Sequence, residues 1–96
     1  MVYFWLRDSG SADDAAKLAA GCKKHLTGIP GVLRIEVGFP AGTDREVVDN
    51  SFGVGLLVEF ADSGAHDVYQ DHPDHLRFIA ENNALWSRVQ VYDTLL

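Results

Sequence analysis

Residues 69–79 read Tyr69-Gln-Asp-His-Pro-Asp-His-Leu-Arg-Phe-Ile79. Pro73 splits the stretch. It has no N–H to give and biases His72 out of the α region, yet it suits the first turn of a helix. Two helical pieces are therefore expected, one ending near His72 and one starting at Pro73. The first, capped by Asp62 or Ser63, should turn Ala65, Val68, Tyr69 and His72 inward. The second should turn Leu76, Ile79, Ala80 and Asn83 inward. The same stretch sets Tyr69, His72 and His75 within seven residues, the densest group of proton carriers in the chain.

Downstream, Asn82 and Asn83 loosen the helix end. Trp86 then leads into a short strand, Val89 to Tyr92, with Val89 and Val91 on one face. Upstream, residues 52–60 alternate: Phe52, Val54, Leu56, Val58 and Phe60 share a face. Gly53 and Gly55 among them signal a bulge or the close approach of another backbone; no helix follows them to make a phosphate loop. Residues 32–37 also alternate, with Leu33, Ile35 and Val37 opposite Arg34 and Glu36. Between these two strands lies a loop of about a dozen residues, long enough to be a functional or interface segment.

Val2 to Leu6 is a strand with two apolar faces, Val2, Phe4 and Leu6 on one side and Tyr3 and Trp5 on the other. Ser11 and Asp14 form a capping signal for a helix running to about Leu26. Its apolar stripe is Ala15, Leu18, Ala19, Cys22 and Leu26, and Gly28 and Pro30 stop it.

The order is thus βαββαβ with a broken second helix, a ferredoxin-like α+β sandwich in a single domain over residues 1–96. Both helices cover one sheet face. The other face, with Tyr3, Trp5, Leu57 and Tyr92, is left uncovered, so a homodimer joined through the helix-free face is expected.

Composition narrows the function. The net charge is −6 and the basic residues form no stripe, which argues against nucleic acid and anionic membrane as partners. No apolar run approaches the ~20 residues of a membrane span. The apolar start has no basic leader or cleavage site, so it does not read as a signal peptide. The one cysteine, Cys22, fits a reducing cytoplasm and reads as core rather than as a nucleophile. His66, Asp67, Asp71, His72 and Asp74 lack the spacing of a metal motif, and no metal or cofactor is expected.

The run Tyr-Gln-x-His-Pro-x-His-Leu-x-Phe, followed by Leu85-Trp86-x-Arg-Val-x-Val-Tyr-Asp93, resembles the stress-responsive A/B barrel domain (Dabb) family. Ile29-Pro-Gly-Val32 and Val48-Asp-x-Ser51 fit the same pattern. The resemblance extends over nearly the whole chain and implies a dimeric α+β barrel. Some members are stress-induced structural proteins. Others resemble cofactor-free polyketide cyclases such as olivetolic acid cyclase, in which a tyrosine and the second histidine drive an aldol cyclisation. Those positions are Tyr69 and His75 here. The pocket so implied lies between sheet and helices, lined by Val2, Phe4, Leu18, Cys22, Leu56, Val58 and Trp86, with His72 beside it. Many members also carry a histidine just ahead of the position of Met1.

Chemically, His75 suits a general base and Tyr69 a hydrogen-bond donor to a carbonyl becoming an enolate. His72 reads as a cap on the helix begun by Pro73. Trp5 and Trp86 read first as packing residues. The expected activity is cofactor-independent cyclisation or isomerisation of a small, largely apolar carbonyl compound. The rivals are a non-catalytic stress or scaffold protein and a monooxygenase-like or haem-handling barrel.

Overall fold

The structure, a computed structural model covering residues 1–96, has the element order β1 (Val2–Leu6), α1 (Ala12–Leu26), β2 (Val32–Gly38), β3 (Val54–Phe60), α2 (Ser63–Asp71), α3 (Pro73–Asn82) and β4 (Trp86–Val91). A single 3-10 turn, Asn83–Leu85, joins α3 to β4. The four strands form one antiparallel sheet in the order β2-β3-β1-β4. This is a ferredoxin-like α+β fold.

The helix starts follow local chemistry. Asp14 N–H donates to Ser11 Oγ at 3.1 Å, and Ala65 N–H donates to Asp62 Oδ1 at 2.8 Å. His72 caps α3: its backbone is extended (ψ 137°), and its Nδ1 accepts from Asp74 N–H at 3.1 Å. The break at Pro73 is as its chemistry requires, since helix α2 ends where the residue before proline leaves the α region.

The core lies between the sheet and α1 and α3. Leu18, Cys22, Leu26 and Val54 are fully buried, joined by Phe4, Leu56, Ile29, Tyr69 and Phe78. Trp86 closes one end, its ring 4.9 Å from Phe4 and 5.8 Å from Phe78.

Four details differ from the sequence reading. Leu33 does not join Ile35 and Val37: the register slips between Val32 and Arg34, and Leu33 is 63% exposed. Phe52 lies outside β3 and turns to the helix-free face, its ring 4.9 Å from Tyr3. Strand β4 starts three residues early, at Trp86, because a bulge opposite Trp5 and Leu6 puts Trp86 on the face of Val89. The inward stripes of α2 and α3 are also rotated. Val68 and Leu76 are exposed, as are Ala80 and Asn83, while Phe78 and Asn82 are buried and Ile79 half-buried. The inner side of α3 carries positions 75, 78, 79 and 82.

Candidate functional site

Helices α2 and α3 meet at His72, and the turn between them brings Tyr69 against His75. Their ring centroids are 4.5 Å apart, tilted by 38°. Phe60 meets the Tyr69 ring edge-on at 4.9 Å. Tyr69 is 8% exposed, and burial, followed by the nearby Cys22 thiol, pushes its phenol well above the ordinary value. The phenol therefore stays protonated and acts only as a neutral hydrogen-bonding group at any ordinary pH.

The His75 ring has a defined tautomer. Its Nδ1 lies 3.0 Å from the Gln70 carbonyl oxygen. A carbonyl only accepts, so Nδ1 carries the proton and Nε2 of the neutral ring is left as the acceptor. His72 is turned to another use, its Nδ1 occupied by the Asp74 amide.

The other residues expected to line a pocket lie in the core or against it. Phe4, Leu18, Cys22 and Leu56 are core, with exposures of 3%, 0%, 0% and 1%. Val2, Val58 and Trp86 are half-buried against that core. These side chains form part of one cluster between sheet and helices. Burial also raises the Cys22 thiol from 9.0 to about 12, so it is a poor nucleophile at neutral pH.

Two surface clefts lie elsewhere. One, of about 540 Å³, is an open groove between Arg7, Asn83, Trp86 and Ser87. The other, of about 470 Å³, runs between the first turn of α1 and the β2–β3 loop. Neither is lined by Tyr69 or His75.

Two features escaped the sequence reading. His25 is buried on α1 and pairs through Nε2 with Glu81 Oε2 on α3. Beside it, Gly21 lets the Asn82 side chain close on α1; a Cβ there would sit 2.5 Å from Asn82 Oδ1. A glycine in the middle of a helix was the available signal. No three His, Cys, Asp or Glu side chains converge as a metal-binding group. No helix is long and apolar enough to cross a membrane.

The sheet face away from the helices carries a group of aromatic side chains. Tyr3 and Trp5 from β1 project onto it, with Phe52 and Tyr92 against Tyr3. Arg88 of β4 lies over the Trp5 ring at 4.1 Å, and Trp5 Nε1 donates to Ser51 Oγ at 2.9 Å. Leu57 of β3 lies on the same side, opposite Glu36 of β2.

Comparison with solved structures gives the same architecture. A Dabb family protein with a ferredoxin-like fold from Mesorhizobium loti is 27% identical, with a TM-score of 0.75 over 98% of this chain and 92% of its own. A dimeric ferredoxin-like protein of unknown function from Jannaschia is 21% identical, with a TM-score of 0.76 over 99% and 94%. A second such dimeric protein, from Thermobifida fusca, is 18% identical, with a TM-score of 0.70 over 93% and 80%. Among curated proteins none matches the sequence. The stress responsive A/B barrel domain profile matches residues 1–95, and with the fold and the Tyr69–His75 stretch in view the chain belongs to the Dabb family.

Proposed function

We propose that the protein works as a homodimer in which the helix-free sheet faces of two copies pack together. The observation that carries this reading is the aromatic surface just described. Tyr3, Trp5, Phe52 and Tyr92 stand on a sheet face that no element of the chain covers, and Tyr92 is 59% exposed. A second copy buries the same patch twice around a two-fold axis. The dimeric structural neighbours from Jannaschia and Thermobifida fusca support it. Its test is the mass in solution, together with the response of that mass to a charge placed at Leu57.

A second reading concerns chemistry, and the His75 tautomer favours it. Tyr69 donates its O–H to the carbonyl oxygen of a small, largely apolar compound, while His75 Nε2 takes the adjacent C–H proton. The electron pair of that C–H bond becomes the enolate. Attack of the enolate carbon on a second carbonyl of the same molecule closes a ring, and the proton held on His75 returns to the new alkoxide. Returning it to a different carbon instead isomerises the compound. Neither route uses a cofactor. The packed core beside Tyr69 ranks this reading behind the dimer, which stands as a non-catalytic domain without it. Its test is hydrogen–deuterium exchange at the activated C–H of a 1,3-diketone. Catalysis by the wild type that is lost in both His75→Ala and Tyr69→Phe supports the chemistry; equal rates in wild type and variants remove it.

A further inference from the structure

The open groove lined by Arg7, Asn83, Ala84, Trp86 and Ser87 holds about 540 Å³, within the size range of small-molecule sites. Its walls are tied together. Arg7 N–H donates to the Leu85 carbonyl at 3.0 Å, which joins the end of β1 to the turn after α3. Trp86 N–H donates to the Asn83 carbonyl across that turn. The Trp86 ring packs on Phe4 and Phe78 yet is only half-buried, so part of it is left to the groove.

Three hydrogen-bonding side chains on these walls have no acceptor in the chain. The Arg7 guanidinium is exposed and takes part in no ion pair. Neither it, nor the Trp86 indole N–H, nor the Asn83 side-chain amide donates to any other group. Ser87 differs, since its hydroxyl donates to the Trp5 carbonyl at 3.3 Å. No Asp or Glu lines the groove. Of the acids near it in sequence, Glu81 pairs with His25, and Asp8 forms no ion pair with Arg7. The C-terminal end of α3 is negative, but its Phe78 and Ile79 carbonyls already accept from Asn82 Nδ2 and Asn83 N–H. The groove thus offers one uncompensated positive charge and free donors to a ligand that accepts.

We propose that this groove binds a small carboxylate compound with a flat apolar body. The planar Arg7 fork matches a carboxylate, with two parallel N–H bonds to its oxygens. The Trp86 ring gives the body a face to stack on, and the Asn83 amide adds a donor. Arg7 repels a cationic ligand, and an uncharged analogue forgoes the charge-assisted bonds. None of the groove's residues is among Tyr3, Trp5, Phe52, Leu57 and Tyr92 of the helix-free face, and Tyr69 and His75 lie outside it. The site therefore depends neither on the homodimer nor on the Tyr69–His75 chemistry.

Two-dimensional ¹⁵N NMR of the full chain tests it through the two indole N–H signals, assigned with a Trp86→Phe variant. The probes are 2-naphthoate and its uncharged counterpart 2-naphthamide. The expected result is a saturable shift of the Trp86 indole with 2-naphthoate, half-complete at or below about 1 mM. 2-Naphthamide should need about tenfold more for the same shift. Arg7→Gln changes an exposed side chain that bonds to nothing in the chain, so its amide spectrum should stay that of the folded protein. It should weaken 2-naphthoate about tenfold and leave 2-naphthamide unchanged. Equal response to both probes, unchanged 2-naphthoate binding in Arg7→Gln, or a saturable shift at Trp5 alone or at neither indole would each overturn the proposal.

Discussion

His75 Nδ1 stands 3.0 Å from the Gln70 carbonyl oxygen, and that contact decides which ring nitrogen is free. The neutral ring should be the Nδ1–H form, visible in long-range ¹H–¹⁵N spectra; an Nε2–H form would remove the basis for a general base here. His75→Ala should fold normally and lose about 1 kcal/mol, the worth of one exposed hydrogen bond and some ring contact. Unfolding of that variant would mark the residue as structural.

Trp86 seals the core between Phe4 and Phe78. Trp86→Ala should cost about 3 kcal/mol in denaturant unfolding, since it removes the largest side chain of that cluster and leaves a void. A loss under about 1 kcal/mol would mean that the ring serves mainly the neighbouring groove.

Gly21 tests the contact between α1 and α3. In a helix, alanine is ordinarily better than glycine. Here the added Cβ would fall 2.5 Å from the Asn82 side chain, which is buried and donates to the Phe78 carbonyl at 2.9 Å. Gly21→Ala should therefore destabilise by about 1–3 kcal/mol. A stabilised variant would show that the helices separate freely.

Much of this architecture was legible in the sequence because it rests on local chemistry. Ser11, Asp62 and Pro73 announce helix starts, and alternation over residues 54–60 announces a strand. What escaped depends on tertiary register. The bulges that expose Leu33 and turn Trp86 inward leave no mark in the pattern of apolar residues. The phase of α3 departs from the apolar pattern because Leu76 is exposed, while polar Asn82 is buried with its own hydrogen bond. At the candidate site, the Tyr69–His75 contact follows from six residues of spacing across a proline break. The tautomer of His75 does not, since it depends on where one backbone carbonyl points. Nor could the sequence show that Phe4, Leu18, Cys22 and Leu56 join Tyr69 in one buried cluster.

The buried thiol gives the protein an alkaline limit. Burial raises the Cys22 pKa from 9.0 to about 12, so the folded chain keeps a proton that the unfolded chain releases. Stability is complete below pH 9 and falls as pH rises toward 12, by up to about 1.4 kcal/mol per pH unit from this group. Tyr69, also raised by burial, adds to the loss above its ordinary value of 10.0. Cys22→Ala should be less stable at pH 8 but should lose less between pH 9 and 10. An identical pH slope in the two proteins would show that the thiol does not set it.

The helix-free face is the surface on which the proposed homodimer depends. Leu57 lies on it, away from the core, so Leu57→Glu should leave the protomer folded while placing a charge between two packed sheets. Sedimentation equilibrium of the wild type and Leu57→Glu at micromolar concentration is the direct measurement. The wild type should show twice the 10.5 kDa protomer mass and the folded variant a single protomer mass. A monomeric wild type, or a variant that remains fully dimeric, would contradict the claim.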